Sequence, residues 1–131
     1  MPVVSVDYPI ADRLLLKATG AIPLAEMIKV MAALRSTETR LTPIIFDLAD
    51  ATVGVSATEV ASLAQMMALE MKKAPIGPVA LIAGSDELFG MARMYQAYSV
   101  TAGRPQVGVF RDLSGAERWL EALVPRGSDN V

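Results

Sequence analysis

Two short, largely apolar runs, each followed by a segment with helical periodicity, constrain the fold of this chain most. The runs are residues 43–48 (PIIFDL) and 79–83 (VALIA). Runs of this length, bounded by Pro or by polar loops, are typical of central strands that are covered on both faces. Because strands that alternate with helices are joined by right-handed crossovers, the pattern predicts a parallel sheet.

The remaining strands lie at the two ends of the pattern. Residues 3–8 and 13–19 are rich in β-branched and aliphatic side chains, and the short turn over residues 9–12 requires them to pair in antiparallel orientation. Residues 106–110 form the last predicted strand.

Four helices are predicted between and after these strands. The first follows Pro23, which the first turn of a helix tolerates, and the third covers about residues 87–101. The second and fourth each begin at a capping box, residues 56–59 (SATE) and 114–117 (SGAE). The fold class is therefore α/β: a single-layer mixed sheet of about five strands, with an N-terminal antiparallel hairpin, parallel β-α-β units and four helices.

The chain shows no repeat and no internal linker, so residues 1–124 are predicted to form one domain. Residues 123–128 (LVPRGS) have the form of an engineered protease-cleavage linker, although the segment is equally compatible with a native origin. We expect residues 125–131 to be a disordered tail.

Composition excludes several classes of function. The 131 residues carry a net charge of −2, which argues against a nucleic-acid partner. The chain has no His and no Cys, so it has no serine–histidine base, no thiol nucleophile and no imidazole or thiolate metal ligand. We expect a cytoplasmic protein without a membrane span, a cofactor or a metal, and one that is not an enzyme.

The third helix carries the strongest candidate surface. One apolar stripe along it already suits a sheet: Leu88, Met91, Ala92, Tyr95 and Ser99. Phe89, Met94 and Tyr98 lie on its flanks, and Gly90 indicates a close approach by some other group. These additional apolar side chains are covered by the sheet and a neighbouring helix, by a second chain, or by a ligand in an apolar pocket. The candidate ligand or partner surface is Phe89, Met91, Arg93, Met94, Tyr95 and Tyr98.

Arg93 has no acidic residue three or four positions away on its helix. It therefore pairs across the fold or meets an acidic ligand. The candidate structural partners are Asp47, Asp50 and Asp112.

A polar rim is predicted where the parallel strands end, since open α/β sheets bind ligands at that edge. Its candidate residues are Asp50, Ser85 and Arg111. The turn at residues 84–87 (GSDE) could cradle an anion, but its two carboxylates favour a self-capped helix start instead.

Three stretches, together with the element order, resemble the SpoIIAA-like family of small bacterial proteins, which is related to the STAS and SEC14 folds. They are residues 46–53 (FDLADATV), residues 89–95 (FGMARMY) and residues 109–113 (VFRDL) with Ala116, Trp119 and Leu120. The resemblance covers the chain up to about Leu123. It implies a STAS-like fold and leaves the activity open.

The resemblance also implies a phosphorylation site. In STAS antagonists a strand ends in Asp-Leu, and a Ser preceded by Asp at the next helix start is phosphorylated. Asp47 and Leu48 match the strand end and Ser56 matches the helix start, but Val55 stands where the Asp would be. The alternative role for Ser56 is a helix N-cap alone.

Taken together, these features predict a non-enzymatic STAS-like binding or regulatory module that self-associates, as a dimer in the first instance, through apolar helix faces. The alternative is a carrier or sensor of a small apolar or acyl ligand. Such a ligand would lie between the third helix and the sheet, with Arg93 or Arg111 near its polar end.

Overall fold

The computed structural model of the chain describes residues 3–7, 13–35, 42–73, 77–101 and 106–123. Nine elements occupy them, in the order β1 (Val3–Asp7), β2 (Leu14–Ala21), α1 (Leu24–Arg35), β3 (Ile44–Thr52), α2 (Ala57–Lys73), β4 (Val79–Ala83), α3 (Asp86–Thr101), β5 (Val107–Phe110) and α4 (Leu113–Leu123). The predicted turn at residues 9–12 and tail at residues 125–131 lie outside the described residues.

The five strands form one sheet in the order β1-β2-β3-β4-β5. Strands β2 to β5 are mutually parallel, and β1 pairs with β2 in antiparallel orientation. The structure therefore confirms the α/β class, the four helices and the parallel β-α-β core.

Helices α1, α2 and α3 cover one face of the sheet, because right-handed crossovers between strands in sequential order all return on the same side. The core on this face includes Phe46 from β3, Met67 from α2 and Tyr95 from α3. Helix α4 covers the other face, where Ala116 and Leu120 pack against Ile45, Ala80 and Ile82.

Strand β3 is longer than the sequence predicts. It was expected to end at Leu48 but continues to Thr52, since its last residues pair with Thr19, Gly20 and Ala21 of β2. The register shifts between Lys17 and Thr19, where β3 contributes one residue more than β2. This β-bulge turns Ala51 into the core and carries β3 past the predicted loop.

The start of α4 also differs from its prediction. The capping box at residues 114–117 is wrong: the Asp112 carboxylate caps the helix, accepting a hydrogen bond from the Gly115 amide at 2.8 Å. The helix begins at Leu113. Asp is as good an N-cap as Ser, so local sequence did not decide between the two positions.

The capping box at residues 56–59 is confirmed. The Glu59 amide donates to Ser56 Oγ at 3.1 Å, and the Ser56 amide donates to Glu59 Oε1 at 2.8 Å. This reciprocal pair fixes the start of α2 directly after the loop that follows β3.

Candidate functional site

A cavity of about 80 Å³ lies between α2, α3 and the carboxyl-terminal half of β3. Its wall combines residues from five elements, α1, β3, α2, β4 and α3, and from the loops beside them. The lining residues are Ile22, Met27, Leu48, Ala51, Thr52, Val53, Gly54, Val55, Glu59, Val60, Leu63, Leu81, Leu88, Met91, Ala92 and Tyr95.

The lining is almost entirely apolar. Among the described residues that form it, Glu59 is the only acidic or basic side chain, and Thr52 and Tyr95 add one hydroxyl each. An apolar lining of this kind favours a ligand that needs no hydrogen bonds. The described lining is therefore suited to binding an apolar group.

Helix α3 forms one wall through four side chains that recur with helical spacing. Leu88, Met91, Ala92 and Tyr95 all contact the cavity, and Tyr95 is 7% exposed. The hydroxyl-bearing ring of Tyr95 thus lies in the interior instead of on an outer surface. The apolar stripe predicted for α3 corresponds to this wall.

The loop between β3 and α2 closes part of the cavity, and a glycine allows it to do so. A Cβ atom at Gly54 would lie 2.7 Å from both the backbone nitrogen and the carbonyl oxygen of Ile22. Only glycine permits this approach, because backbone atoms cannot give way as a side chain does. Gly54 thereby holds Val53 and Val55 over the cavity, next to the end of β2.

The other residues of the predicted surface on α3 lie outside the lining. Phe89 and Met94 are half-buried and pack against the core, Tyr98 is exposed, and Arg93 is exposed. The structure therefore brings Met91 and Tyr95 together at the cavity and places the remaining candidates around the outside of α3.

Arg93 makes no ion pair with any residue in the described parts of the chain, and its side chain points to solvent. The predicted pairing with Asp47, Asp50 or Asp112 is not found. The Asp47 carboxylate instead accepts a hydrogen bond from the Ala49 amide at 3.0 Å.

The three residues of the predicted polar rim do not lie together. Arg111 donates to Asp86 Oδ1 at 2.8 Å, and its guanidinium lies 4.1 Å from the centre of the Phe89 ring. Ser85 caps α3 by accepting a hydrogen bond from the Leu88 amide at 3.1 Å, as the self-capped reading predicts. Ser85 and Arg111 thus both engage the start of α3, whereas Asp50 is exposed on β3.

Gly90 was expected to allow a close approach by another group. A Cβ atom there would meet nothing within 4 Å. No described part of the chain, therefore, makes a close approach at Gly90.

Sequence reasoning missed the half of the cavity that is formed by Ile22, Ala51, Val53 and Val55. These residues were assigned to a loop or left unassigned. The one available signal was Gly54 between two valines, a small residue within an apolar stretch. Their placement depends on the bulge between β2 and β3, which is a non-local feature.

The described residues contain no group of three or more acidic, His or Cys side chains that could hold a metal ion. Nor do the described helices include one that is long and apolar enough to cross a bilayer.

The chain is thus an α/β module whose three crossover helices lie on one face of the sheet, with an apolar site beneath the third helix. A solved structure has the same architecture: a DUF3478-family protein with a SpoIIAA-like fold from Shewanella loihica PV-4. The two chains superpose with a TM-score of 0.57 at 17% sequence identity, over 91% of this chain and 93% of the other. At this identity the likeness shows the fold, and it confirms at that level the SpoIIAA-like resemblance.

Comparison with protein-family models gives no match, and no curated protein matches the sequence.

Proposed function

We propose that this chain is a non-enzymatic binding module of the SpoIIAA-like fold, and that it holds a small apolar molecule in the cavity beneath α3. The observation that carries the proposal is the apolar cavity of about 80 Å³ between Leu63, Met91 and Tyr95. An unfilled apolar cavity forfeits dispersion contacts, at a cost on the order of 1–2 kcal/mol for this volume. A ligand that restores these contacts recovers part of that free energy.

The volume limits the ligand. It is about half of the roughly 150 Å³ of an engineered cavity that binds benzene, so it accommodates a segment of a few carbon atoms. A longer molecule would have to extend outward past the loop that contains Gly54. This supports a small ligand, or the end of a larger one, over a fully enclosed acyl chain.

The proposal is tested by titrating 1-butanol into protein with ¹³C-labelled methyl groups and recording NMR spectra. We expect saturable shifts for the methyl signals of Leu63 and Met91, which line the cavity. Leu123, which is exposed on α4 across the sheet, provides the reference signal and should not shift. Shifts that are linear in concentration, or equal at all three residues, would contradict a specific site.

A bound ligand that survives purification would be identified by native mass spectrometry followed by denaturing extraction. We expect an additional mass on the native protein that is lost on unfolding.

A second candidate function is self-association through the outer surface of α2 and α3. Four large apolar side chains of these helices are exposed: Met66 and Leu69 on α2, and Tyr98 and Val100 on α3. Helices α2 and α3 pack side by side on the same face of the sheet, and large exposed apolar areas are typical of protein interfaces.

Light scattering over a range of concentrations tests this second candidate. We expect a dimer mass for the wild type and a lower mass for Leu69→Glu, because Leu69 is 61% exposed on α2. Leu113→Glu is the matched control, since Leu113 is 48% exposed on α4, and it should leave the mass unchanged. A wild-type chain that is monomeric at every concentration would exclude self-association.

A further inference from the structure

We infer that the cavity selects an uncharged apolar ligand and discriminates against carboxylates, including short fatty acids. The inference rests on the proposed function and narrows the chemical class of its ligand. It rests on three kinds of group near the cavity: cationic side chains, the amides of helix N-termini, and the Glu59 carboxylate.

No cationic side chain among the described residues lines the cavity. Arg111, which lies near the start of α3, is held by Asp86 at 2.8 Å and stacks on Phe89. Arg93 points to solvent. A carboxylate inside the cavity would therefore have no ion-pair partner to offset the loss of its hydration, which is costly for an unpaired charge.

The helix N-termini beside the cavity are already partly capped. Backbone amides at such a terminus can bind a carboxylate, but at α2 the Glu59 amide already donates to Ser56 Oγ and the Ser56 amide to Glu59 Oε1. At α3 the Leu88 amide donates to Ser85 Oγ. Both helix starts thus use side chains of the chain itself as acceptors.

Glu59 adds a repulsive element. Glu59 is the only charged residue in the described lining, and its carboxylate is held at the start of α2 by the Ser56 amide. A second carboxylate brought close to it would be repelled. The site therefore lacks attraction for an anion and also opposes one.

The test compares 1-butanol with butyrate at pH 7, two probes with the same carbon chain, in the same NMR titration. We expect butyrate to bind at least about tenfold more weakly than 1-butanol, since a carboxylate must be desolvated without a partner. Equal affinities, or tighter binding of butyrate, would overturn the inference and leave the proposed function standing. Absence of saturable binding by both probes would overturn the two together.

Glu59→Gln removes the negative charge but keeps the start of α2 intact, because Gln can still complete the capping box. We expect this variant to bind butyrate several-fold more tightly than the wild type does, and so to narrow the ratio between its affinities for 1-butanol and butyrate. Glu87→Gln, at an exposed position in the first turn of α3 outside the lining, is the matched control and should change neither affinity. An unchanged affinity of Glu59→Gln for butyrate would contradict the role of the charge.

Discussion

Two glycines show how differently the same residue type is used in this chain. Gly54 lies against the backbone of Ile22, with no room for a Cβ atom, whereas Gly90 lies on the exposed side of α3 with free space around it. The first glycine shapes the cavity. The second lowers the helix propensity of α3.

Opposite changes in stability are therefore expected for two identical substitutions. Gly54→Ala should lower the free energy of unfolding by about 1–3 kcal/mol, since a backbone clash forces the loop away from Ile22. Gly90→Ala should raise it by about 0.5–1 kcal/mol through helix propensity. Urea unfolding followed by circular dichroism measures both, and a destabilising Gly90→Ala would indicate a contact at that position in an assembly of chains.

Ser56 is explained by its capping interaction. Ser56→Ala should cost about 1 kcal/mol in free energy of unfolding, because it removes the acceptor of the Glu59 amide. Thr58→Ala, also exposed in the first turn of α2, is the control and should be neutral or stabilising. A loss equal to that of the control would contradict the cap.

The proposed phosphorylation of Ser56 is a separate question for the same residue. Its side chain is exposed at a helix start, where a phosphate is favourable, but the Glu59 carboxylate already lies at that position. Phosphopeptide mapping of the chain isolated from its source would locate a phosphate on Ser56 or Thr58. Unmodified peptides throughout would leave the cap as the only role of Ser56.

At the scale of elements, a buried arginine connects α4 to the sheet. Arg13, 1% exposed just before β2, has its Nε 3.7 Å from Glu117 Oε1 and a terminal nitrogen 3.6 Å from Glu121 Oε2. Both carboxylates belong to α4. The pairing thus attaches α4 to the start of β2.

The two carboxylates should contribute unequally. Glu117→Gln should lower the free energy of unfolding by about 1–3 kcal/mol, because its carboxylate is largely buried and faces a buried cation. Glu121→Gln should cost less than about 1 kcal/mol, since its side chain is 39% exposed. Denaturant unfolding of both variants measures the difference, and equal losses would contradict the role of burial.

The sequence predicted the elements well and their ends less well. Apolar runs and helical stripes located the parallel strands and the helices, because such periodicities are local. The extension of β3 to Thr52 was not predictable, since it depends on a bulge opposite β2. The cap of α4 was misplaced because Asp112 and Ser114 are both suitable N-cap residues.

The candidate site was predictable from one side only. The periodicity of α3 placed Met91 and Tyr95 on its sheet-facing stripe, and both line the cavity. The surplus residues of that helix, Phe89, Met94 and Tyr98, do not line it. The opposite wall consists of Ile22, Val53 and Val55, which are brought together by the sheet and not by sequence spacing. The predicted roles of Arg93 and Arg111 near a ligand relied on charge alone, and neither residue lines the cavity.

At the scale of the whole molecule, sequential strand order determines where a ligand can be held. Because α1, α2 and α3 lie on one face of the sheet, they share one core. The cavity lies between α2, α3 and the end of β3. The face that carries α4 has a separate core. Binding is therefore expected on the three-helix face, and a ligand that binds the folded chain should also stabilise it.

The most direct test of the proposed site is the affinity for 1-butanol of two variants of α3. Ala92→Leu places a larger side chain in the cavity, because Ala92 is buried in its wall, whereas Ala97→Leu adds the same atoms at an exposed position outside it. We predict that Ala92→Leu abolishes saturable binding in the NMR titration while Ala97→Leu binds as the wild type does. Wild-type affinity in a folded Ala92→Leu variant would show that the ligand binds elsewhere, and would contradict the cavity as the functional site.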